Sequence, residues 1–349
     1  FLAGEKTSEL RHGLSSFGGT WLAYPMAGSP TPRVLGRLSP MAAQKVTVEV
    51  DGRKLALSNL DKVLYPESGT AKAEVVDYYT RIAPVLLPHL ADRPLTRKRW
   101  PDGVAAASFF EKNAPRGTPS WVRTVTLPSP GSSRDRETVT YVVCNDLPTL
   151  VWLANLAVLE MHVPQWKVDG KRPLNPDRLV VDLDPGAPAT VIECCQVALL
   201  LADALADDGL LAYPKTSGSK GMQMYVPLDG KAEVNAVHGY ARELAERLEK
   251  EQPRLVVSRM EKRLRRGKVL VDWSQNNAAK TTVAPYSLRG RDQPTVSTPV
   301  TWEEVERAAR STAQTRLPLR FDDRDVLARV EELGDLTAPL HEKAYSLPT

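Results

Sequence analysis

The chain is poor in cysteine. It has three in 349 residues, Cys144, Cys194 and Cys195, two of them adjacent and none in a C-x-x-C spacing. That argues against a disulfide framework and against a cysteine zinc site, and it fits a reducing cytoplasm. There is no long apolar run either. The best stretch, VALLLADALA, carries Asp203 and falls far short of the ~20 residues that cross a bilayer, so no membrane partner is expected. Neither charge sign dominates: 46 basic residues against 42 acidic leave a net charge of +4, which permits a nucleic-acid partner without demanding one. The Walker A pattern G-x-x-x-x-G-K-[ST] is absent, which excludes that way of cradling a triphosphate.

Residues 1–40 show no clear period, are rich in Gly, Ser and Pro, and end at Met41. They lack the charged start, apolar core and small-residue cleavage site of a signal peptide. They read as a flexible leader, or as translated sequence upstream of a start at Met41. With no internal repeat and no interior linker beyond it, the expected organisation is a leader over 1–41, one compact catalytic unit over 42–325, and a peripheral helical tail over 326–349.

Alternating apolar residues around Asp51-Gly52 predict a hairpin in QKVTVEVDGRKLAL. KAEVVDYYTRIAPVLLPHL has helical periodicity, with a break expected near Pro84. TLVWLANLAVLEMHV reads as a buried helix that would put His162 at its end. DRLVVDLD, MQMYVPL and GKVLVDWS read as strands, and TVIECCQVALLLADALADDG as a helix stopped at Gly209. EVNAVHGYARELAERLEKEQP is an amphipathic helix, and Thr301 with Glu304 opens another. This alternation predicts an α/β or α+β fold.

The stretch RLVVDLDPG places Asp182 and Asp184 one residue apart behind an apolar run. Strand side chains alternate faces at ~3.3 Å per residue, so the two carboxylates would share one face. Two neighbouring anions need a cation, a shared proton or full solvation. KVLVDWSQN brings Asp272 to the end of another buried strand. Three such carboxylates form a ligand set for a pair of Mg²⁺ or Mn²⁺ ions, although strand-ending aspartates are also common turn formers. Between the two acidic strands, Ser217, Gly218, Ser219, Lys220 and Gly221 make a small cationic turn whose N–H groups, hydroxyls and ammonium can hold a triphosphate.

The basic runs RKRW (97–100) and RMEKRLRRGK (259–268) are either solvated faces or DNA-phosphate contacts; Arg265, Arg266 and Lys268 of the second feed into the Asp272 strand. Phe109 and Phe110 occupy adjacent strand positions, which predicts one in the core and one exposed. Asn59 and Lys62 in SNLDKVLYP are candidates to reach a template strand or its downstream phosphate. The tetrapeptide Lys167-Val168-Asp169-Gly170 matches the ligase nucleophile pattern K-x-D-G, but no other ligase motif accompanies it and it reads as a surface turn.

Taken together, RLVVDLDPG, KTSGSKGMQMYVPL and KVLVDWSQNNAAKTTVAPYSLRGR resemble the polymerase domain of bacterial ATP-dependent DNA ligase D, of the archaeo-eukaryotic primase superfamily. LSNLDKVLYPESGTAKAEVVDYY, RPLTRKRWPDG, SFFEKN and NLAVLEMHVPQW extend the resemblance over about 46–320. It implies a primase-like α/β core with mixed sheets flanked by helices. The implied activity is a template-dependent nucleotidyltransferase that fills gaps and ends in DNA repair, often with ribonucleotides and with a preference for manganese. It further implies Asp182, Asp184 and Asp272 as ligands of two metal ions, and Ser217, Lys220 and Arg289 as triphosphate contacts. His162 would lie near the nucleotide sugar, with Lys98, Phe109 and Phe110 forming the wall beside the base.

The implied partners are gapped DNA or double-strand-break ends and nucleoside triphosphates, with Ku and a separate ligase as candidate protein partners. A stand-alone, monomeric protein at the nucleoid in the cytoplasm is the expectation. One position departs from the family pattern S-G-x-K-G-x-H: Gln223 stands where a triphosphate-binding histidine is usual. An amide cannot carry imidazolium charge, so the alternative is a weakened paralogue that binds DNA ends. On a strand, Gln223 could also simply face solvent.

Overall fold

In a computed structural model, which describes residues 45–129, 137–311 and 319–348, Asp51 and Gly52 take positive φ and turn β1 (Lys45–Val50) back onto β2 (Arg53–Ser58), as the sequence predicts. β3 (Val63–Tyr65) and β4 (Thr70–Ala71) lead into α1 (Lys72–Leu90). This helix runs unbroken through Pro84, where a break was expected. Tyr78, Tyr79 and Ile82 before the proline and Leu86 and Leu90 after it are all buried in one core. At ~1.5–3 kcal/mol per buried side chain, that packing outweighs the ~3 kcal/mol an internal proline costs.

β5 (Pro94–Arg99), β6 (Phe109–Glu111), β7 (Thr124–Pro128) and β8 (Thr138–Val143) follow. The apolar stretch expected as one buried helix is instead α2 (Leu147–Asn155) and a strand, β9 (Val158–Val163). Asp146 starts α2 by accepting the Thr149 N–H at 2.9 Å, and Ala157, at φ 56°, turns the chain between helix and strand. A short apolar run carries no period by which to tell the two apart. β10 (Trp166–Asp169) and β11 (Arg172–Pro176) form a hairpin turning at Gly170 and Lys171, so of the K-x-D-G segment, expected as a surface turn, only Gly170 is in the turn. Lys167, Val168 and Asp169 are strand residues, Val168 is buried, and Lys167 pairs with Asp177 at 3.3 Å.

The second half contains β12 (Arg178–Pro185), α3 (Val191–Asp207), β13 (Tyr213–Thr216), β14 (Met222–Pro227) and α4 (Val234–Glu251). After these come β15 (Val256–Val257), β16 (Val269–Asp272), β17 (Thr282–Val283), α5 (Trp302–Ala309), α6 (Asp323–Leu333) and α7 (Pro339–Glu342). Strands β13-β14-β12-β16-β15 make one sheet, antiparallel except for its last pair. Leu179, Val181 and Leu183 on one face of β12 share a core with α3, α4 and α5. The other sheet runs β17-β9-β5-β8-β7, with β6 on β5, and its core takes in α1, α2 and Val326 of α6. The fold is thus a mixed α/β one.

The tail expected to be peripheral from 326 onward is packed into the molecule at Val326, Thr337 and Leu340, while most of 341–348 is exposed. The expected boundary at 325 falls inside α6; Thr337 is buried and bonded to His89 at 2.9 Å, and Leu340 packs against Val180 and Tyr225. The leader over 1–41 lies outside the described residues. Among the described residues no helix is long and apolar enough to cross a membrane.

Candidate active site

β12 has two faces. Leu179, Val181 and Leu183 are buried under the helices, so Asp182 and Asp184 project together from the opposite side. Asp182 lies between Gln223 of β14 and Asp272 of β16, directly in register with both. Ligand oxygens of Asp182, Asp184 and Asp272 all lie within 4.8 Å of one another. Gln223 Nε2 donates to Asp182 Oδ1 at 3.1 Å, while Ser274 N–H and Oγ donate to Asp272 Oδ1 at 3.0 and 2.6 Å and Gln275 Nε2 to its Oδ2 at 2.9 Å. No hydrogen bond reaches the Asp184 carboxylate among the described residues.

Burial, then the charges of Asp184 and Asp272, push the Asp182 carboxyl up to about 7. Burial and Asp272 raise Asp184 as well, with Arg265 opposing. Hard, oxygen-only donors converging from two strands fit a divalent cation of the Mg²⁺ or Mn²⁺ class, which would relieve this repulsion.

Beside the trio, the chain turns sharply between β13 and β14. Ser217 Oγ accepts the N–H groups of Ser219 and Gly221, each at 3.2 Å. Gly218 sits at φ 65°, and a Cβ there would lie 2.6 Å from Val296 O and 2.7 Å from Arg289 Cγ. A Cβ on Gly221 would fall 2.0 Å from the Leu183 carbonyl, so this glycine lets the loop return against the aspartate strand. Arg289 donates from Nη1 to the Ser217 carbonyl, and Thr295 Oγ1 donates to Gly218 O at 2.7 Å.

Glu160, 2% exposed, organises the opposite wall. It bonds His162 Nε2 at 2.8 Å, accepts the Gly290 N–H at 3.1 Å, and lies 3.2 Å from Arg289 Nε. Burial alone would raise this carboxyl, but the bond from His162 and the charge of Arg289 hold it well below the usual glutamate range. Burial lowers His162. Phe110 meets the His162 ring edge-on at 5.4 Å and lies 5.1 Å from Lys98 Nζ. Contrary to the expectation of one core and one surface phenylalanine, Phe109 and Phe110 are both exposed, at 44% and 56%. β6 is a three-residue strand paired only with β5, so the alternation of a longer two-sided strand does not apply to it.

A cleft of about 450 Å³ results, lined among others by His162, Asp182, Asp184, Lys220, Gln223 and Arg289. Gln223 does not face solvent: it is 5% exposed and bonded on both sides. Of the basic run, Arg265 lies near enough to Asp184 to lower its carboxyl pKa. Lys268 Nζ instead donates to Pro253 O at 2.5 Å, and Arg266 is exposed. Asn59 and Lys62 do not line the cleft; they occupy the β2–β3 connection, where Lys62 pairs with Asp102 at 2.7 Å.

Two residues escape the sequence reading. Glu160 and His162 share a strand face at i, i+2, a relation hidden by reading the segment as helix. Lys215, fully buried, lies opposite Gln223 across β13 and β14, and only the strand pairing reveals that contact.

Comparison with known proteins agrees with this architecture. A family profile described as the LigD primase-polymerase domain matches residues 71–337. The multifunctional non-homologous end joining protein LigD of Mycolicibacterium smegmatis is 48% identical over 292 residues, covering 83% of this chain and 36% of that one. The LigD DNA repair protein of Mycobacterium tuberculosis H37Rv is 44% identical over 298 residues, covering 84% and 38%. The chain therefore spans little more than a third of the length of these relatives. Among solved structures, the polymerase domain of Mycobacterium tuberculosis ligase D in complex with DNA matches with a TM-score of 0.76 at 43% identity, covering 83% of this chain and 99% of that one.

Proposed function

The chain belongs to the LigD primase-polymerase family, and from that premise we propose that it is a template-dependent nucleotidyltransferase acting on gapped or broken DNA. The observation that carries this reading is the carboxylate trio Asp182, Asp184 and Asp272, within 4.8 Å, beside the Ser217–Gly221 loop. In the proposed reaction, a primer 3′-oxygen bonds to the α-phosphorus of a nucleoside triphosphate. The bond from that phosphorus to the bridging oxygen breaks, pyrophosphate leaves, and the hydroxyl proton passes to solvent.

Two divalent ions bound by the trio would supply Lewis-acid activation of the 3′-hydroxyl and charge neutralisation at pyrophosphate. The protein's part is to hold the reactants. Ser217, Gly218 and Lys220 bind the triphosphate, and Arg289, braced by Glu160 and the Ser217 carbonyl, adds a fixed positive charge. Phe110 offers a face to the base, a contact tolerant of sequence, with Phe109 and Lys98 beside it.

A ribonucleotide preference has a physical support. His162 Nε2 is bound to Glu160, so its Nδ1 side remains for a ribose 2′-hydroxyl in the cleft. Arg265, Arg266, Lys62 and Asn59 are proposed to contact DNA. The relatives are named for end joining, and the same setting is proposed here, with Ku and a ligase as the protein partners to seek.

The test is extension of a 5′-phosphorylated gapped duplex by one templated nucleotide, with Mn²⁺ or Mg²⁺ and ribo- or deoxyribonucleotides. Templated addition, faster with Mn²⁺ and with ribonucleotides, supports the reading. Binding of the gapped duplex without any addition overturns it.

A further inference from the structure

Lys215 is an expensive residue to bury, because an ammonium removed from water must find partners for all its protons. It is fully buried on β13, directly opposite Gln223 of β14. Its Nζ donates to Gln223 Oε1 at 2.5 Å and to Ser297 Oγ, and it lies 5.5 Å from the centre of the Tyr225 ring. Ser297 Oγ in turn donates at 3.1 Å to the carbonyl of Thr216, the residue just before the Ser217 turn.

A glutamine side chain is chemically two-ended, with one oxygen that accepts and one NH₂ that donates. Here Lys215 occupies the oxygen end, so the NH₂ end is turned toward Asp182 Oδ1, 3.1 Å away. The flipped amide would set its oxygen against the carboxylate, a repulsive contact in place of an attractive one, and would lose the bond that Lys215 Nζ donates to Oε1. The lysine therefore decides which end of Gln223 meets Asp182.

We propose that Lys215 is a positioning residue for the metal carboxylate Asp182, acting through the Gln223 amide. The relay Ser297–Lys215–Gln223–Asp182 fixes Oδ1 and leaves Oδ2 for the cation. Gln223 is thereby committed to the carboxylate trio rather than to a triphosphate. This inference rests on the two-metal reading above. Partners that orient a metal ligand in this way commonly account for 10–100-fold in metal affinity, while making no contact with the ion.

The test is Mn²⁺ binding to the whole chain without nucleotide or DNA, read from the electron paramagnetic resonance signal of free Mn²⁺. Wild type, Lys215→Met, Gln223→Leu and the double variant are compared, with thermal melts confirming the fold. Each single variant is expected to weaken the Mn²⁺ Kd about tenfold, and the double variant no further than the weaker single one. Any positive charge on Lys215 would by itself oppose Mn²⁺ binding, so weakening in Lys215→Met reports orientation rather than charge.

Singles within about twofold of wild type, tighter binding by Lys215→Met, or losses that multiply in the double variant would each overturn the relay. Should Lys215→Met not fold, Gln223→Leu decides alone: wild-type affinity overturns the relay, and a tenfold loss supports it. A wild type that binds no Mn²⁺ contradicts the two-metal reading itself, and the relay falls with it. A wild type that binds, with both singles unchanged, sinks the relay alone.

Discussion

Asp182 and Asp272 stand directly opposite each other on neighbouring antiparallel strands, with Asp184 close enough to join them. Like charges so placed cost stability, by roughly 0.2–1 kcal/mol per cross-strand pair at exposed sites. Divalent cation should relieve that cost. The expected result is a melting temperature that rises with millimolar Mn²⁺ and falls back with chelator. Asp184→Asn is expected to melt at or slightly above wild type without metal and to lose the Mn²⁺ response. An equal rise in both proteins would contradict the site.

Gly218 is held at φ 65° with no room for a Cβ. Gly218→Ala must move the phosphate loop or strain it, at a cost of ~1–3 kcal/mol. The KM for nucleoside triphosphate should rise by roughly tenfold or more, which corresponds to about 1.4 kcal/mol of lost binding. Steady-state kinetics with saturating gapped DNA would measure it, and an unchanged KM would count against the loop as the triphosphate site.

Glu160 is the buried anion on which His162, Arg289 and the Gly290 N–H converge. Removing one partner from a buried charge cluster typically costs ~3–5 kcal/mol, so Glu160→Gln should be less stable by that order at neutral pH. Its folded pKa is depressed below the ordinary 4.5, so the unfolded chain takes up the proton first as pH falls. The contribution is therefore full above about pH 4.5 and is lost as acid titrates the carboxylate. Urea unfolding should show the gap between wild type and Glu160→Gln narrowing below that pH. A gap that stays constant would refute the assignment.

Phe110 is more than half exposed yet lies against His162 and Lys98. An aromatic ring with so little burial contributes little to folding but can stack on a base, at ~1–3 kcal/mol per base. Phe110→Ala should leave the melting temperature within a few degrees of wild type and weaken nucleotide binding to the gapped complex by roughly five- to a hundredfold. A thermal melt would check the first half of that statement, and fluorescence titration with a labelled nucleotide the second.

Much of the site was legible before the fold, because a strand's period of two is enough to put Asp182 and Asp184 on one face, and Gly218 beside Ser217 signals a tight turn. What was not legible depended on pairing. Asp272 facing Asp182, Lys215 facing Gln223, and Gln223 turned inward to a carboxylate are relations between strands, set by register rather than by any one segment. Glu160 was hidden for another reason: the run from Thr149 to Val163 is mostly apolar and reads as one buried helix, and the switch from helix to strand turns on the left-handed Ala157. The exposure of both Phe109 and Phe110 follows from β6 lying at a sheet edge, which the alternation of a short segment does not reveal.

On this reading the carboxylate trio drives templated nucleotide addition. The most direct measurement is single-turnover extension of a one-nucleotide gap with Mn²⁺, comparing wild type with Asp184→Ala, the least hydrogen-bonded member of the trio. Wild type is expected to add the templated nucleotide and Asp184→Ala to lose at least a thousandfold, about 4.1 kcal/mol, with the fold intact. Addition by Asp184→Ala at a rate near that of wild type would contradict it.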